Sequence, residues 1–315
     1  MKNKLFLSVE GLSKHYGNIS AVDNVCFSVY QQEIFGLLGP NGAGKTTIIK
    51  MLCGILKTDS GDILFDGISL LSKYDQIKDK IGLCPQDIII WEQLTCFEQL
   101  KFVGISYGLS SRIAGERADN LLEELGLSSK KNKLAGTLSG GMQRRLNIAL
   151  ALIHDPQLII LDEPHAGLDP QSRVIVRDFI RQLAKRKSVI LTTHDMDEAD
   201  RLSDRVAIID HGRILTVDTP DKIKVKFGMG DVIQVSVNEM DREKIDSLLN
   251  IIPPAFFERK YADGILLLGA NEPISLIPIV NQILKDLNIH ANNMTIRKRT
   301  LEDAFISMTG RGLRE

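Results

Sequence analysis

The chain lacks what would mark it as a secreted or membrane-spanning protein. Its four cysteines, Cys26, Cys53, Cys84 and Cys96, form no C-x-x-C pair, so they fit reduced cytosolic thiols and not a disulfide framework or a zinc site. Apolar runs such as Ile88-Ile89-Ile90-Trp91 stop far short of the ~20 residues that cross a bilayer. Lys2 and Lys4 are followed by too short an apolar stretch for a signal peptide. Charge is nearly balanced, with a formal net charge of −1 and no basic tract, so no general attraction to nucleic acid or anionic lipid is expected. Heptad runs are missing too. Five of the histidines (His15, His154, His165, His211 and His290) show no metal-ligand spacing and read as structural or solvated.

What is present begins with a glycine loop: Gly39, Pro40, Asn41, Gly42, Ala43, Gly44, Lys45, Thr46 and Thr47. It fits G-x-x-x-x-G-K-[ST], with Gly39, Gly44, Lys45 and Thr46 in the fixed positions. Before it, Ile34 to Leu38 suit a buried parallel strand. After it, Ile48, Ile49, Met51 and Leu52 recur at helical spacing. Glycines let the backbone curl until several N–H groups converge on an anion, and the new helix adds its positive end. Lys45 is then placed to reach the β- and γ-phosphates of a nucleoside triphosphate, and the Thr46 hydroxyl to ligate Mg²⁺.

A carboxylate partner is supplied by Leu158-Ile159-Ile160-Leu161-Asp162-Glu163-Pro164, an apolar strand ending in two acids. Ligands of open parallel sheets bind at those carboxyl ends. Adjacent residues there point to different sides, so Asp162 is expected in the Mg²⁺ shell and Glu163 beside the attacking water as general base. Thr192-Thr193-His194 ends a second strand-like run, Ser188 to Thr193, which places an imidazole near the same phosphates.

A second anion-seeking surface starts at Ser139. The serine N-caps a helix whose apolar positions are Met142, Leu146, Ala149, Leu150 and Ile153, and Gly140 and Gly141 leave its first amides bare. One triphosphate needs only one such loop and one such helix. Two chains paired head to tail, each covering the other's nucleotide, is the economical arrangement.

In this order the motifs resemble the ATP-binding subunit of an ATP-binding cassette (ABC) transporter. The resemblance extends over residues 1–226, with a helical subdomain at about 87–155. It implies that Tyr16, in Lys14-His15-Tyr16-Gly17, stacks on adenine. It also implies that Gln86, in Cys84-Pro85-Gln86-Asp87, senses both Mg²⁺ and the membrane subunit. Leu138 to Gln143 correspond to the signature, followed by Arg144-Arg145, and Asp169 to the dimer contact. His194 matches the switch histidine on the γ-phosphate. The implied catalytic set is therefore Lys45, Glu163 and His194, with ATP and Mg²⁺ bound. The implied fold is an α/β P-loop (RecA-like) core with an antiparallel β subdomain and an α-helical insert that docks the membrane partner. Implied partners are integral-membrane permease subunits and a second ATP-binding subunit, with a homodimer expected and no nucleic acid. Export is the expected direction, and the expected place is the cytoplasmic face of the cell membrane, peripherally. A cassette ATPase acting on nucleic acid or ribosomes is the alternative. Such relatives usually carry two cassettes or a coiled-coil insert.

Two positions depart from the family pattern: Met142, where glutamine is commonest, and His165, where threonine or serine is usual. Methionine there resembles the S-G-G-M of exporter-type members. Residues from about 5 to 38 alternate like antiparallel strands, with turns at Tyr16-Gly17-Asn18 and Asp23-Asn24. Helices are predicted at Phe97 to Tyr107 and Glu116 to Leu125, and Trp91 fits either core packing or the partner contact. Residues 227–315 are expected to form a small α+β accessory domain behind a hinge at Phe227-Gly228-Met229-Gly230. Thr300 and Asp303 should cap its last helix. It resembles the extension of drug- and lipid-exporter-type ATPases.

Overall fold

The computed structural model describes residues 4–227, 231–238, 242–256 and 258–310, so the expected hinge at Gly228 to Gly230 lies outside the described residues. Two compact units are present, Met1–Thr219 and Pro220–Glu315. The first opens with a hairpin, β1 (Leu5–Tyr16) and β2 (Ile19–Tyr30), followed by β3 (Ile34–Leu38), the glycine loop and α1 (Lys45–Leu52). Next come β4 (Ser60–Phe65), β5 (Ile68–Ser69), α2 (Tyr74–Ile77) and β6 (Ile81–Cys84). The helical insert holds α3 (Cys96–Ser106) and α4 (Ser111–Glu124) and leads into α5 (Gly140–Leu152). Then follow β7 (Leu158–Asp162), α6 (Pro170–Ala184), β8 (Ser188–Thr193), α7 (Met196–Leu202), β9 (Arg205–Asp210) and β10 (Arg213–Asp218).

Six strands in the order β10-β9-β3-β8-β7-β6 make the central sheet, parallel except for the edge pair of β9 and β10. Strands β3, β7 and β8 are buried along their whole length, which is why they read as unbroken apolar runs. Their side chains alternate between two cores. Ile159, Leu161, Val189 and Leu191 face the helical side with Leu122, Leu146 and Phe179. Phe35, Leu37, Leu158, Ile160 and Ile190 face the other, against Ile48 and Met51 of α1 and Val25 and Phe65 of the antiparallel sheet β2-β1-β4-β5.

Local signals explain the insert. Thr95 and Glu98 form a full capping box at the start of α3, and Ser110 caps α4, whose Ala114, Ala118 and Leu122 are buried. Helix α4 therefore starts five residues before the predicted Glu116. One turn is corrected: Asp23-Asn24 does not end a strand. It is an irregularity within β2, where Asn24 takes φ 50° and the register shifts between Leu12↔Val25 and Lys14↔Val22.

The second unit contains α8 (Pro220–Phe227), β11 (Asp231–Val237), α9 (Arg242–Ile251), β12 (Glu258–Ala262), β13 (Ile265–Ala270), α10 (Pro273–Asp286), β14 (Ala291–Arg297) and α11 (Leu301–Thr309). Its sheet runs β12-β13-β11-β14, all antiparallel, a split β-α-β arrangement with its own core of Ile233, Val235, Leu248, Leu266, Leu268 and Leu284. Thr300 and Asp303 form the expected capping box on α11.

Backbone approaches backbone closely where β6 meets the end of α5. A Cβ on Gly82 would lie 2.2 Å from the Ala151 carbonyl oxygen. Gly82→Ala should lower unfolding stability by about 2 kcal/mol, since a buried backbone cannot easily retreat. Urea unfolding measures this, and an unchanged midpoint would contradict the close packing.

Candidate active site

The carboxyl ends of β3, β7 and β8 lie side by side, with Leu38 paired to Thr193 and Asp162 to Thr192. The glycine loop closes over them. A Cβ on Gly39 would lie 2.2 Å from the Ile209 carbonyl, and one on Gly44 2.5 Å from that of Ala21. Gly44, the N-cap of α1, also has φ 103°, so no other residue fits there without strain. Inside this turn is a cavity of about 160 Å³ whose walls include Asn41, Lys45, Thr46, Gln86, Asp162 and Glu163. Gly42, Gly44, Thr47 and Ala21 complete the lining.

Within this cavity the two acids face different partners. Thr46 Oγ1 is 3.5 Å from Asp162 Oδ2, while the Thr192 hydroxyl donates to Asp162 Oδ1 at 2.5 Å. Glu163 turns the other way: its Oε1 is 2.9 Å from His194 Nδ1 and 3.9 Å from Lys45 Nζ. The Lys45 ammonium donates to the Gly39 and Pro40 carbonyls at 2.7 and 3.1 Å. Burial holds its pKa below the usual lysine range, opposed by the Glu163 and Asp162 charges. Glu163 itself has a left-handed backbone, φ 49°, an uncommon conformation for a residue with a Cβ.

The remaining site residues are spread more widely. Tyr16 ends β1, half-exposed, on the hairpin whose return strand supplies Ala21 to the cavity. Ser139 N-caps α5, its Oγ accepting from the Met142 N–H at 3.4 Å, and both Ser139 and Gly140 are exposed. None of Ser139, Gly140 and Gly141 is among the residues lining the Lys45 cavity. Gly141 is buried and pressed against α6, where a Cβ would meet Ser172 Oγ at 2.4 Å. Asp169 N-caps α6, accepting from the Ser172 N–H at 2.9 Å and its hydroxyl at 2.6 Å, which together hold its carboxyl below the usual range. Two residues that sequence reasoning gave no role also stand at the site. Thr192 bridges the two acids, since its Oγ1 also accepts the Glu163 N–H at 3.0 Å. Arg144, fully buried, reaches the same strand end.

Comparison with known proteins places this geometry. A family model described as ABC transporter matches residues 22–166. The linearmycin resistance ATP-binding protein LnrL of Bacillus subtilis is 36% identical, the alignment covering 98% of this chain and 100% of that protein. The chain belongs to the ABC transporter family, as an ATP-binding subunit. Other relatives are the daunorubicin resistance ATP-binding protein DrrA3 of Streptomyces coeruleorubidus and the Nod factor export ATP-binding protein I of Ralstonia nicotianae. The first is 33% identical, covering 96% of each chain. The second is 36% identical, covering 98% of this chain and 95% of that protein. Among solved structures, an ATP-binding subunit of an ABC transporter superposes with a TM-score of 0.64 at 30% identity, covering 70% of this chain and 93% of that one. CbiO1 of Clostridium perfringens gives 0.66 at 27% identity, covering 80% and 97%. The fold is that of an ABC ATPase, and the enzyme binds ATP and hydrolyses it.

The cassette's departure at His165 has a physical consequence. Its ring is buried, neither nitrogen has a hydrogen-bond partner among the described residues, and Nδ1 lies 3.8 Å from Glu198 Oε2. Glu198 is already held by Arg177. Burial pushes the imidazole down to about 4, from an ordinary value near 6.5. The unfolded chain therefore binds a proton that the folded chain refuses. The stability tied to neutral His165 is fully present above pH 6.5 and is lost as pH falls toward 4. His165→Thr should flatten the pH dependence of stability across that window by up to about 1.4 kcal/mol per pH unit. Denaturant midpoints taken at a series of pH values test this; identical slopes would count against a buried neutral ring.

Proposed function

We propose that two copies of this cassette close head to tail over two ATP molecules and so drive export through a separate integral-membrane permease. The observation that carries the reading is the parting of the two anion-seeking surfaces. The loop, Lys45 and both acids share one cavity, while the bare amides at Ser139 and Gly140 are exposed outside its lining. A partner's nucleotide gives that exposed helix start a use. Export rests on the relatives, whose names speak of resistance and of Nod factor export.

In this reading the loop amides and Lys45 receive the β- and γ-phosphates, and Tyr16 stacks on adenine. Glu163 takes the proton of the attacking water. His194 has Nδ1 engaged by Glu163, which leaves Nε2 to reach the γ-phosphate. A neutral His194 with its one proton on Nε2 would donate there to the γ-phosphate, while its Nδ1 would accept from Glu163 once Glu163 holds the water's proton, so base and switch residue work as one unit. Thr46 and Asp162, with Gln86 on the same wall, offer the hydroxyl, carboxylate and amide oxygens that suit Mg²⁺, and their near contact at 3.5 Å fits a shared ion. Bound there, Mg²⁺ would offset charge on the phosphate oxygens.

Permease docking suits the groove of about 390 Å³ lined by Leu83, Pro85, Ile89, Trp91, Val103 and Tyr107, among others, at the Gln86 loop and the helical insert. Trp91 is 46% exposed and stands edge-on to the exposed Phe102, ring centroids 5.8 Å apart, so it is not a core residue. Among the described residues no helix is long and apolar enough to cross a membrane, which fits a peripheral place at the cytoplasmic face.

Glu163→Gln should keep ATP affinity, lower kcat by about 10²–10⁴-fold and accumulate an ATP-bound dimer. Steady-state turnover and size-exclusion chromatography with ATP decide it; an active monomeric variant would sink the proposal. Lys45→Ala should instead weaken nucleotide binding by at least about tenfold in titrations, through loss of a charge-assisted contact.

A further inference from the structure

The buried cation of α5 is spent on backbone. Arg144 is 1% exposed, and all five of its guanidinium N–H groups have a carbonyl to donate to. Nε donates to Pro164 at 3.3 Å. Nη1 donates to Pro85 at 2.6 Å and Gln86 at 2.9 Å. Nη2 donates to Asp162 at 2.6 Å and Glu163 at 2.8 Å. These carbonyls belong to the two segments that line the nucleotide cavity beside the glycine loop.

We infer that Arg144 is the positioning residue for hydrolysis, a peg that fixes the Glu163 strand end against the Gln86 loop. The inference rests on the reading of Glu163 as general base. Glu163 has a left-handed backbone that its own side chain does not favour, so outside contacts must hold it. Its N–H donates to the Thr192 hydroxyl, while its C=O accepts from Arg144 and, within the local turn, from the Ala166 N–H at 3.1 Å, so Arg144 is the tie that reaches this carbonyl from another element. Without Arg144, only the local Ala166 N–H still holds the peptide after Glu163, the tie to α5 is gone, and the carboxylate loses its aim while Lys45 and the loop stay in place. Lysine cannot substitute, because three donors on one nitrogen cannot serve carbonyls arranged around a planar fork. Arg144 also lies just over one turn into the helix that Ser139 begins, so the same side chain ties the surface assigned to the partner's nucleotide to the base of its own site.

The test is turnover against binding in Arg144→Met and Arg144→Lys, each with thermal unfolding and an ATP titration. Both variants should lose about 10- to 100-fold in kcat, with ATP affinity, KM and ATP-driven association within about threefold of the parent. If Arg144→Met fails to fold, Arg144→Lys, which keeps the charge and the buried stem, decides alone. Parental kcat in a folded variant overturns the inference. So does an equal fall in ATP affinity and kcat, which would make Arg144 only a structural brace. Glu163→Gln run in parallel separates the two levels: its activity would remove the general base itself, whereas an inactive Glu163→Gln beside an active Arg144→Met removes only the peg.

Discussion

An anion gripped by backbone amides requires a main chain that comes closer to itself than a Cβ allows. That single constraint organises the catalytic end of the first unit. Gly39 lies against the Ile209 carbonyl and Gly44 against that of Ala21, so the loop is braced by β9 and by the hairpin strand β2. The Gly212 N–H donates to the Ala43 carbonyl at 3.0 Å, a further tie from the turn between β9 and β10. Elements distant in sequence therefore exist partly to be touched by glycine. Their packing holds the curl open, where the orphan amides of α1 would otherwise relax toward their own carbonyls.

Within that frame, charge is buried densely and each charge has partner groups. Lys45, Asp162, Glu163 and Arg144 are each at most 7% exposed. An isolated ion so placed would cost several kcal/mol, and each here is met by hydroxyls, carbonyls or an opposite charge. Low exposure also strengthens every interaction with a phosphate that enters. Asp162 and Glu163 are separated in role by their neighbours: Asp162 answers to two threonine hydroxyls, Glu163 to an imidazole and an ammonium. Two like acids adjacent in sequence thus meet different surroundings, a prerequisite for one to hold a cation while the other takes a proton.

The motif residues were legible because their chemistry is local. Gly39 to Thr47 and Leu158 to Glu163 each contain their strand, their turn and their ligand groups in one run, and the structure brings them together at one cavity. Arg144 and Thr192 were not legible. An arginine in a helix and a threonine at a strand end have solvated readings that periodicity cannot discount, and only tertiary contact reveals five carbonyls converging on one guanidinium. His165 was visible as an oddity, but not its burial. In the second unit the sequence alone predicts strands at Val232 to Val237, Ile265 to Leu268 and Met294 to Lys298 and a helix at Ile274 to Leu287, but not α8, α9 or β12. Helix α9, Arg242–Ile251, has a sequence rich in charge, and β12 carries Arg259 and Lys260 where an edge strand tolerates them. The false turn at Asp23-Asn24 has the reverse cause: turn-forming residues also serve a bulge.

The described residues lining the Lys45 cavity all belong to the first unit, and the second unit has a hydrophobic core of its own. Its β-α-β-β-α-β order pairs β11 with both β13 and β14, so the first and last strands of the motif meet only when the whole segment has folded. Such long-range closure commits the segment to cooperativity, with Ile233 and Val235 at the centre of the core and buried completely. The relatives aligned over nearly their full length include this region, so a cassette carrying such a unit is the common form among them.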